Sequence, residues 1–158
     1  MELTEKVLIN NLCDWALYFR RLNGIGDIRI PAKVIGFAML DVAEVQMQIQ
    51  SGNKLFIGSD EAHPGDHARL FIVDEKQRKA LLGYGEESEE EPLVLNVESV
   101  TKLLAIKKKD EFNRQLAELV KTDAEKKMVI QIAKEAGGDE VAAWKMEAIN
   151  KLAETTVI

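Results

Sequence analysis

The segment GYGEESEEEP, residues 83–92, is the feature that most constrains how this chain can fold. It combines glycine, serine and proline with glutamates whose like charges repel one another, a composition typical of a linker. Apolar residues before it follow both the period of strands and the period of helices, whereas those after it follow the helical period alone. We therefore predict an α+β domain at residues 1–84, an acidic linker at residues 85–92 and a helical domain at residues 93–158.

The first domain is predicted to be a small, largely antiparallel sheet with two short helices. A strand in KVLINNL precedes a hairpin in which WALYFRR and IRIP are joined by the turn LNGIGD. Helices are expected after Asp41 and Asp74, because Glu44 and Gln77 follow them at the spacing of a capping box. The segments KLFIG and HARLFIV, on either side of a polar loop, are interpreted as two strands of a second hairpin.

The domain at residues 93–158 is predicted to be a compact bundle of three or four helices. Its helical segments are each amphipathic and none is apolar on every face, so they must bury their apolar stripes against one another. Thr122 and Glu125 form a capping box for one helix. Trp144 lies in the apolar stripe of the last helix, and we expect it in the core.

Charge and composition exclude several classes of function. The net charge of −6 divides into 10 basic and 11 acidic residues at 1–84, five glutamates at 85–92, and 11 residues of each sign at 93–158. Neither domain therefore has the bulk charge of a nucleic-acid binder. The apolar runs are far shorter than the roughly 20 residues of a membrane span, and the acidic N-terminus is not a signal peptide. We expect a cytoplasmic protein with no membrane partner and no cofactor.

Nucleophilic catalysis has few candidate residues in this sequence. Cys13 is the only cysteine, which excludes an internal disulfide and is typical of a buried small apolar residue. No serine lies in a nucleophile elbow. The glycines of NGIGD lack the lysine and the following helix of a phosphate loop and favour a hairpin turn. We assign no catalytic residue.

The loop before the strand ARLFIV contains both histidines of the chain. His63 and His67, with Asp66 between them, have residue types that bind a divalent metal, and a metal-bound hydroxide would catalyse hydrolysis. However, the Pro-Gly pair between the histidines prevents the helix that would place both imidazoles on one face, and it is typical of a turn. We favour a turn, with a partner-binding loop and a metal-dependent hydrolase as the alternatives.

The strand after this loop is predicted to begin at His67. His67, Arg69 and Phe71 would then share one face of it, because successive strand residues point to opposite sides. We expect a helix or the C-terminal bundle to cover this face. The alternative is a partner-binding surface made by this face together with His63 and Asp66.

A basic cluster is formed by Lys107, Lys108 and Lys109, with Arg114 further along the same segment. Such a cluster can hold phosphates at modest affinity. Asp110 and Glu111 balance its charge, and neither an aromatic ladder nor a recognition-helix pattern accompanies it. We interpret the cluster as a solvated helix face and disfavour nucleic acid as a partner.

Three stretches of the N-terminal half, WALYFRRLNGIGDIRIPA, IQSGNKLFIGSD and HARLFIVDEKQRKALLG, resemble small proteins of unassigned role encoded by phages and prophages of Gram-positive bacteria. The resemblance brings no catalytic residue with it. It implies a viral or prophage-encoded component of the virion or of its assembly, found in the host cytoplasm or the virion. Because the sequence contains two well-delimited modules and no assembled catalytic set, we expect a non-enzymatic protein that works by protein contacts. Its partner would be a second copy, another virion protein or a host protein, and a phage factor that binds a host protein is the alternative role.

Overall fold

The computed structural model describes residues 1–59 and 62–154, and its chain divides into two compact units with the boundary after Pro92. The first unit contains strands β1 (Lys6–Asn11), β2 (Leu17–Arg20), β3 (Asp27–Ile30), β4 (Phe37–Asp41) and β5 (Leu70–Ile72), with helices α1 (Val42–Gln50), α2 (Lys54–Ile57) and α3 (Glu75–Leu82). The second unit contains α4 (Val97–Leu104), α5 (Lys109–Leu119), α6 (Asp123–Gly137) and α7 (Ala143–Glu154) within its described residues. The predicted α+β class, with antiparallel strands and C-terminal helices, is confirmed.

Two antiparallel sheets are formed by the described residues of the first unit. One has the strand order β4-β1-β5, and the other is the predicted hairpin of β2 and β3. Strand β1 alternates as expected for a strand with one covered face: Val7 and Ile9 are fully buried, whereas Leu8 between them is exposed. The core of this unit therefore lies on the Val7 side of the three-stranded sheet.

Helices α1 and α3 begin where the capping pattern predicted. Asp41 accepts a hydrogen bond from the Glu44 N–H at 3.0 Å, and Asp74 accepts one from the Gln77 N–H at 2.8 Å. The capping box of α6 is also present, with Thr122 and Glu125 bonded reciprocally. These starts depend on residues three apart in the sequence, so local chemistry alone specifies them.

The prediction that KLFIG and HARLFIV form a hairpin is wrong. Residues Lys54–Ile57 form the one-turn helix α2, which Asn53 caps by accepting from the Leu55 N–H at 3.0 Å. Strand β5 begins at Leu70 and pairs with β1 instead. His67 lies in the preceding turn with a φ of +61°, a left-handed conformation that no strand residue adopts. Short apolar runs do not distinguish a strand from a helical turn, which explains the error.

Glu44 joins helix α1 to the turn between β2 and β3. Its carboxylate is 1% exposed and accepts hydrogen bonds from the Leu22 N–H at 3.1 Å and the Asn23 N–H at 3.0 Å. Gln48 donates a further bond to it at 3.0 Å. The carboxylate predicted to complete a capping box therefore binds the hairpin turn, and it occupies backbone N–H groups beside the glycines of NGIGD.

We predict that Glu44→Gln lowers the free energy of unfolding of the first unit by about 2 kcal/mol, because the amide NH2 of glutamine, itself a donor, would replace a buried carboxylate oxygen that accepts from the Leu22 N–H and from Gln48. Urea unfolding followed by Trp15 fluorescence in a Trp144→Phe background measures this unit. Glu75→Gln is the matched control, since Glu75 is exposed and pairs with Lys79 at the surface. Overlapping unfolding curves for the two variants would contradict the anchoring role of Glu44.

Candidate functional site

The polar loop predicted as a candidate site folds into a turn that holds His63 between two carboxylates. His63 Nδ1 lies 2.6 Å from Asp66 Oδ1, and His63 Nε2 lies 3.3 Å from Glu90 Oε2. The Asp66 N–H donates to the His63 carbonyl at 3.2 Å, which closes the turn. The Pro-Gly turn predicted from sequence thus brings His63 and Asp66 together, while Glu90 comes from the acidic segment at residues 85–92.

Tyr84 completes this group of side chains, which we call the His63 cluster (His63, Asp66, Tyr84 and Glu90). Its ring lies beside the imidazole with centroids 5.2 Å apart, and its hydroxyl donates to the Pro64 carbonyl at 2.5 Å. Burial, together with the nearby charges of Asp66 and Glu90, raises the pKa of Tyr84 to about 12. The phenol therefore remains a hydrogen-bond donor at neutral pH.

The environment of His63 favours its charged form. The hydrogen bond to Asp66 is the largest cause that raises the pKa of His63 above 6.5, and Glu90 adds to it, whereas partial burial opposes it. Both imidazole nitrogens already face carboxylates, so neither presents a lone pair to a substrate. His63, Asp66 and Glu90 therefore form ion pairs within the first unit.

A second ion pair holds the acidic segment beside the His63 cluster. Arg78 donates from Nε and Nη2 to the Glu91 carboxylate at 2.9 and 3.0 Å, a bidentate pair. Its Nη1 donates to the carbonyls of Ile72 and Val73 at the end of β5. The end of the predicted linker is therefore attached to the first unit, and the role of residues 85–92 as a connection remains a prediction.

The face expected to carry His67, Arg69 and Phe71 is covered by the first unit itself. His67 and Arg69 are each 6% exposed, and Arg69 donates to the Leu12 carbonyl at 2.9 Å and to Cys13 Sγ at 3.3 Å. Phe71 is half-buried beneath the Arg78 guanidinium, 4.7 Å from its ring centroid. Two of the five residues proposed as a partner surface are thus buried, and their contact with a partner stays an untested prediction.

The described residues contain no group of three or more His, Cys, Asp or Glu side chains arranged to hold a metal ion. His63 is partly exposed and its two ring nitrogens face Asp66 and Glu90, whereas His67 is buried. Asp60 and Glu61, the other acidic residues of the loop, lie outside the described residues. The described geometry gives no support to a metal-dependent hydrolase built on His63, Asp66 and His67.

The basic cluster lies at the start of α5. Lys107, Lys108 and Lys109 are exposed, and Lys108 is the N-cap residue of the helix. Arg114 is engaged by its own helix, 2.6 Å from Glu111 and 3.3 Å from Glu118. The three lysines therefore form the positive part of the cluster, and Arg114 is neutralised.

An open groove of about 460 Å³ lies between α5 and α7, and we call it the α5–α7 groove. Apolar and small side chains form much of its wall, with charged side chains at its edges. Its lining consists of Lys109, Asn113, Leu116, Ala117, Trp144, Glu147, Ala148, Lys151 and Leu152. Since no residue of this groove except Lys109 was predicted as a site residue, sequence patterns alone missed it.

Trp144 lines the groove instead of lying in the core. Its side chain is half-buried and contacts Phe112 edge to face, with centroids 5.2 Å apart. Lys145 Nζ lies 5.3 Å from the Trp144 ring centroid and donates to the Leu104 carbonyl at 2.6 Å. The indole therefore has a defined orientation before any partner binds.

The chain matches no protein-family model, and neither a curated protein nor a solved structure matches it. Among residues 1–59 and 62–154, no helix combines the length and the apolar character needed to cross a membrane.

We predict that His63 titrates with a midpoint above 6.5, because its charged form is bound by two carboxylates. Asp66→Asn should lower this midpoint more than Glu90→Gln, since Asp66 is the stronger partner. The folded-state pKa is raised, so the stability contributed by His63 is fully present below about pH 6.5 and is lost as the pH rises through the folded pKa.

NMR titration of the His63 ring protons measures the midpoint, and urea unfolding of the wild type and His63→Gln measures the stability. The stability difference between the two chains should be larger near pH 6 than near pH 8.5. A midpoint at or below 6.5, or a stability difference that does not change with pH, would contradict the ion-pair geometry.

Proposed function

We propose that this chain is a non-enzymatic protein-interaction protein that binds another protein in the α5–α7 groove. The observation that carries the proposal is the partly buried Trp144 side chain, held by Phe112 and Lys145 inside an open groove. Tryptophan contributes strongly to protein interfaces when it lies in a preformed depression near their centre. A partner would bury this ring without first having to order it.

The shape of the groove supports a protein partner. Its lining on α5 extends from Lys109 to Ala117, a distance of about 12 Å at 1.5 Å per residue. Small side chains, Ala117 and Ala148, allow a partner to approach the two helices closely. An extended, open depression of this kind suits a segment of polypeptide better than it suits a small molecule enclosed on all sides.

The contacts of the first unit support a role without catalysis. The imidazole most suited to acid/base chemistry is bound by Asp66 and Glu90, and Arg78 is bound by Glu91. These groups bind one another, so their charges are balanced by contacts within the first unit. We therefore assign the first unit a structural part in the proposed interaction protein.

The resemblance to phage- and prophage-encoded proteins supports a specific form of this proposal, a component of the virion or of its assembly. A phage-encoded factor that binds a host protein is the alternative, and it would use the same groove. The partner is then a second copy of the chain, another virion protein or a host protein.

Photo-crosslinking in cells that encode the chain tests the proposal. A photoreactive residue at Ala117 should form an adduct with one defined protein, whereas the same residue at Gln131, exposed on α6, should not. Filling the groove with Ala148→Arg should abolish the adduct. An adduct of twice the chain's own mass would identify a second copy as the partner.

The proposal would be wrong if positions 117 and 131 gave the same adducts, or if Ala148→Arg left the Ala117 adduct unchanged. Thermal unfolding of each variant, followed by circular dichroism, provides the control that the helices are intact.

A further inference from the structure

We infer that the segment bound in the α5–α7 groove is an amphipathic helix with acidic residues beside its apolar face. This inference rests on the proposed function and adds the chemistry of the partner. It is carried by the apolar stripe of α7, the direction in which the groove extends, and the sign of the charge at one end of the groove.

The apolar stripe of α7 is only partly covered by its own unit. Of this helix, all of which the structure describes, Ile149 alone is buried. Trp144, Ala148 and Leu152 follow one another at a spacing of four, so they lie along one side of the helix, and all three line the groove. Because a helix in a folded protein normally buries its apolar stripe, this side of α7 is suited to another apolar surface.

A helix is the form of polypeptide that best fits this surface. The groove runs along about two turns of α5 and α7, and the ridges of two neighbouring helices form a trough into which the side chains of a third helix can pack. Trp144 and Leu152, which are only partly buried, would contact the apolar residues of that helix. Within its described part the second unit contains no strand, so it offers no sheet edge to an extended peptide.

The charge near the groove favours an acidic partner. Lys109 lines the groove at the start of α5, and the exposed Lys107 and Lys108 continue the positive charge beyond it. Glu147 in the lining and Asp110 beside Lys109 offset part of this charge. Glu111 is bound by Arg114, so three lysines face two carboxylates. Carboxylates on the partner would complement this excess of positive charge and speed association.

The acidic segment of a second copy is a poor candidate for this partner. Glu90 and Glu91 are held by His63 and Arg78 in their own unit. In addition, GEESEEEP has no apolar residues at helical spacing that could contact Trp144. The inferred partner is therefore a different acidic sequence that also has an apolar stripe.

Titration of the full chain with synthetic helical peptides tests the inference. Trp15→Phe leaves Trp144 as the only tryptophan, so its emission reports occupancy of the groove. Three peptides are compared: one with an apolar stripe flanked by glutamates, one with the same stripe flanked by lysines, and an acidic peptide in which the stripe is scrambled. We expect the first to bind roughly tenfold tighter than either of the others, and more weakly as salt is added.

Lys109→Glu and Lys127→Glu form a matched pair of charge reversals. Both lysines are exposed, Lys109 beside the groove and Lys127 on α6. A glutamate in the first turn of α5 is favourable to the helix dipole, so Lys109→Glu does not endanger folding. We expect Lys109→Glu to weaken binding of the acidic striped peptide roughly threefold to tenfold and Lys127→Glu to change it less than twofold.

The inference is overturned if the lysine-flanked or scrambled peptide binds as tightly as the acidic striped peptide. It is also overturned if the two lysine variants bind alike, or if a single-stranded oligonucleotide binds in preference to all three peptides. If the Lys109→Glu variant still captured the partner that crosslinks at Ala117, the inference that this partner is acidic would be overturned, whereas the proposed function would stand. Absence of any groove-specific adduct would instead overturn the proposed function.

Discussion

Buried side-chain hydrogen bonds join the two sheets of the first unit, and the rest of that unit depends on them. In the part of the chain that the structure describes, the β2–β3 hairpin shares no strand pairing with the three-stranded sheet. The Asn11 amide of β1 donates to the carbonyls of Trp15, Ile30 and Pro31 and accepts from the Cys13 N–H, while Glu44 binds the turn of the hairpin. Because a buried polar group is costly when it lacks partners, these bonds favour one arrangement of hairpin, sheet and α1 over all others.

Local chemistry made part of this fold predictable. Asp41, Asp74 and Thr122 cap their helices through residues three positions away, so a short window of sequence contains the whole interaction. The same window cannot specify pairing between β1 and β5, which are about 60 residues apart in sequence. A short window of sequence also does not indicate that the Glu44 carboxylate binds the β2–β3 turn instead of the N-terminus of its own helix.

The candidate sites show the same division between local and distant contacts. The Pro-Gly turn was predicted and does place Asp66 against His63, but Glu90 and Tyr84 approach only through the folding of residues far along the chain. Trp144 shows a different limit. A helical period indicates which side of α7 is apolar, but it does not indicate whether the chain covers that side itself or leaves it to form a groove.

Pro92 packs closely against the turn of the His63 cluster, and this contact determines where a fragment of the first unit can end. A methyl group added at Gly65 would meet Pro92 Cβ at 2.9 Å, so the proline ring lies directly on the turn. A gene fragment of the first unit that stops at Tyr84 omits only residues 85–92 of that unit, which are polar and acidic and resemble a linker by composition. It would leave the Arg78 guanidinium without the Glu91 carboxylate and uncover Gly65, so a fragment that keeps the contacts of the first unit must extend through Pro92.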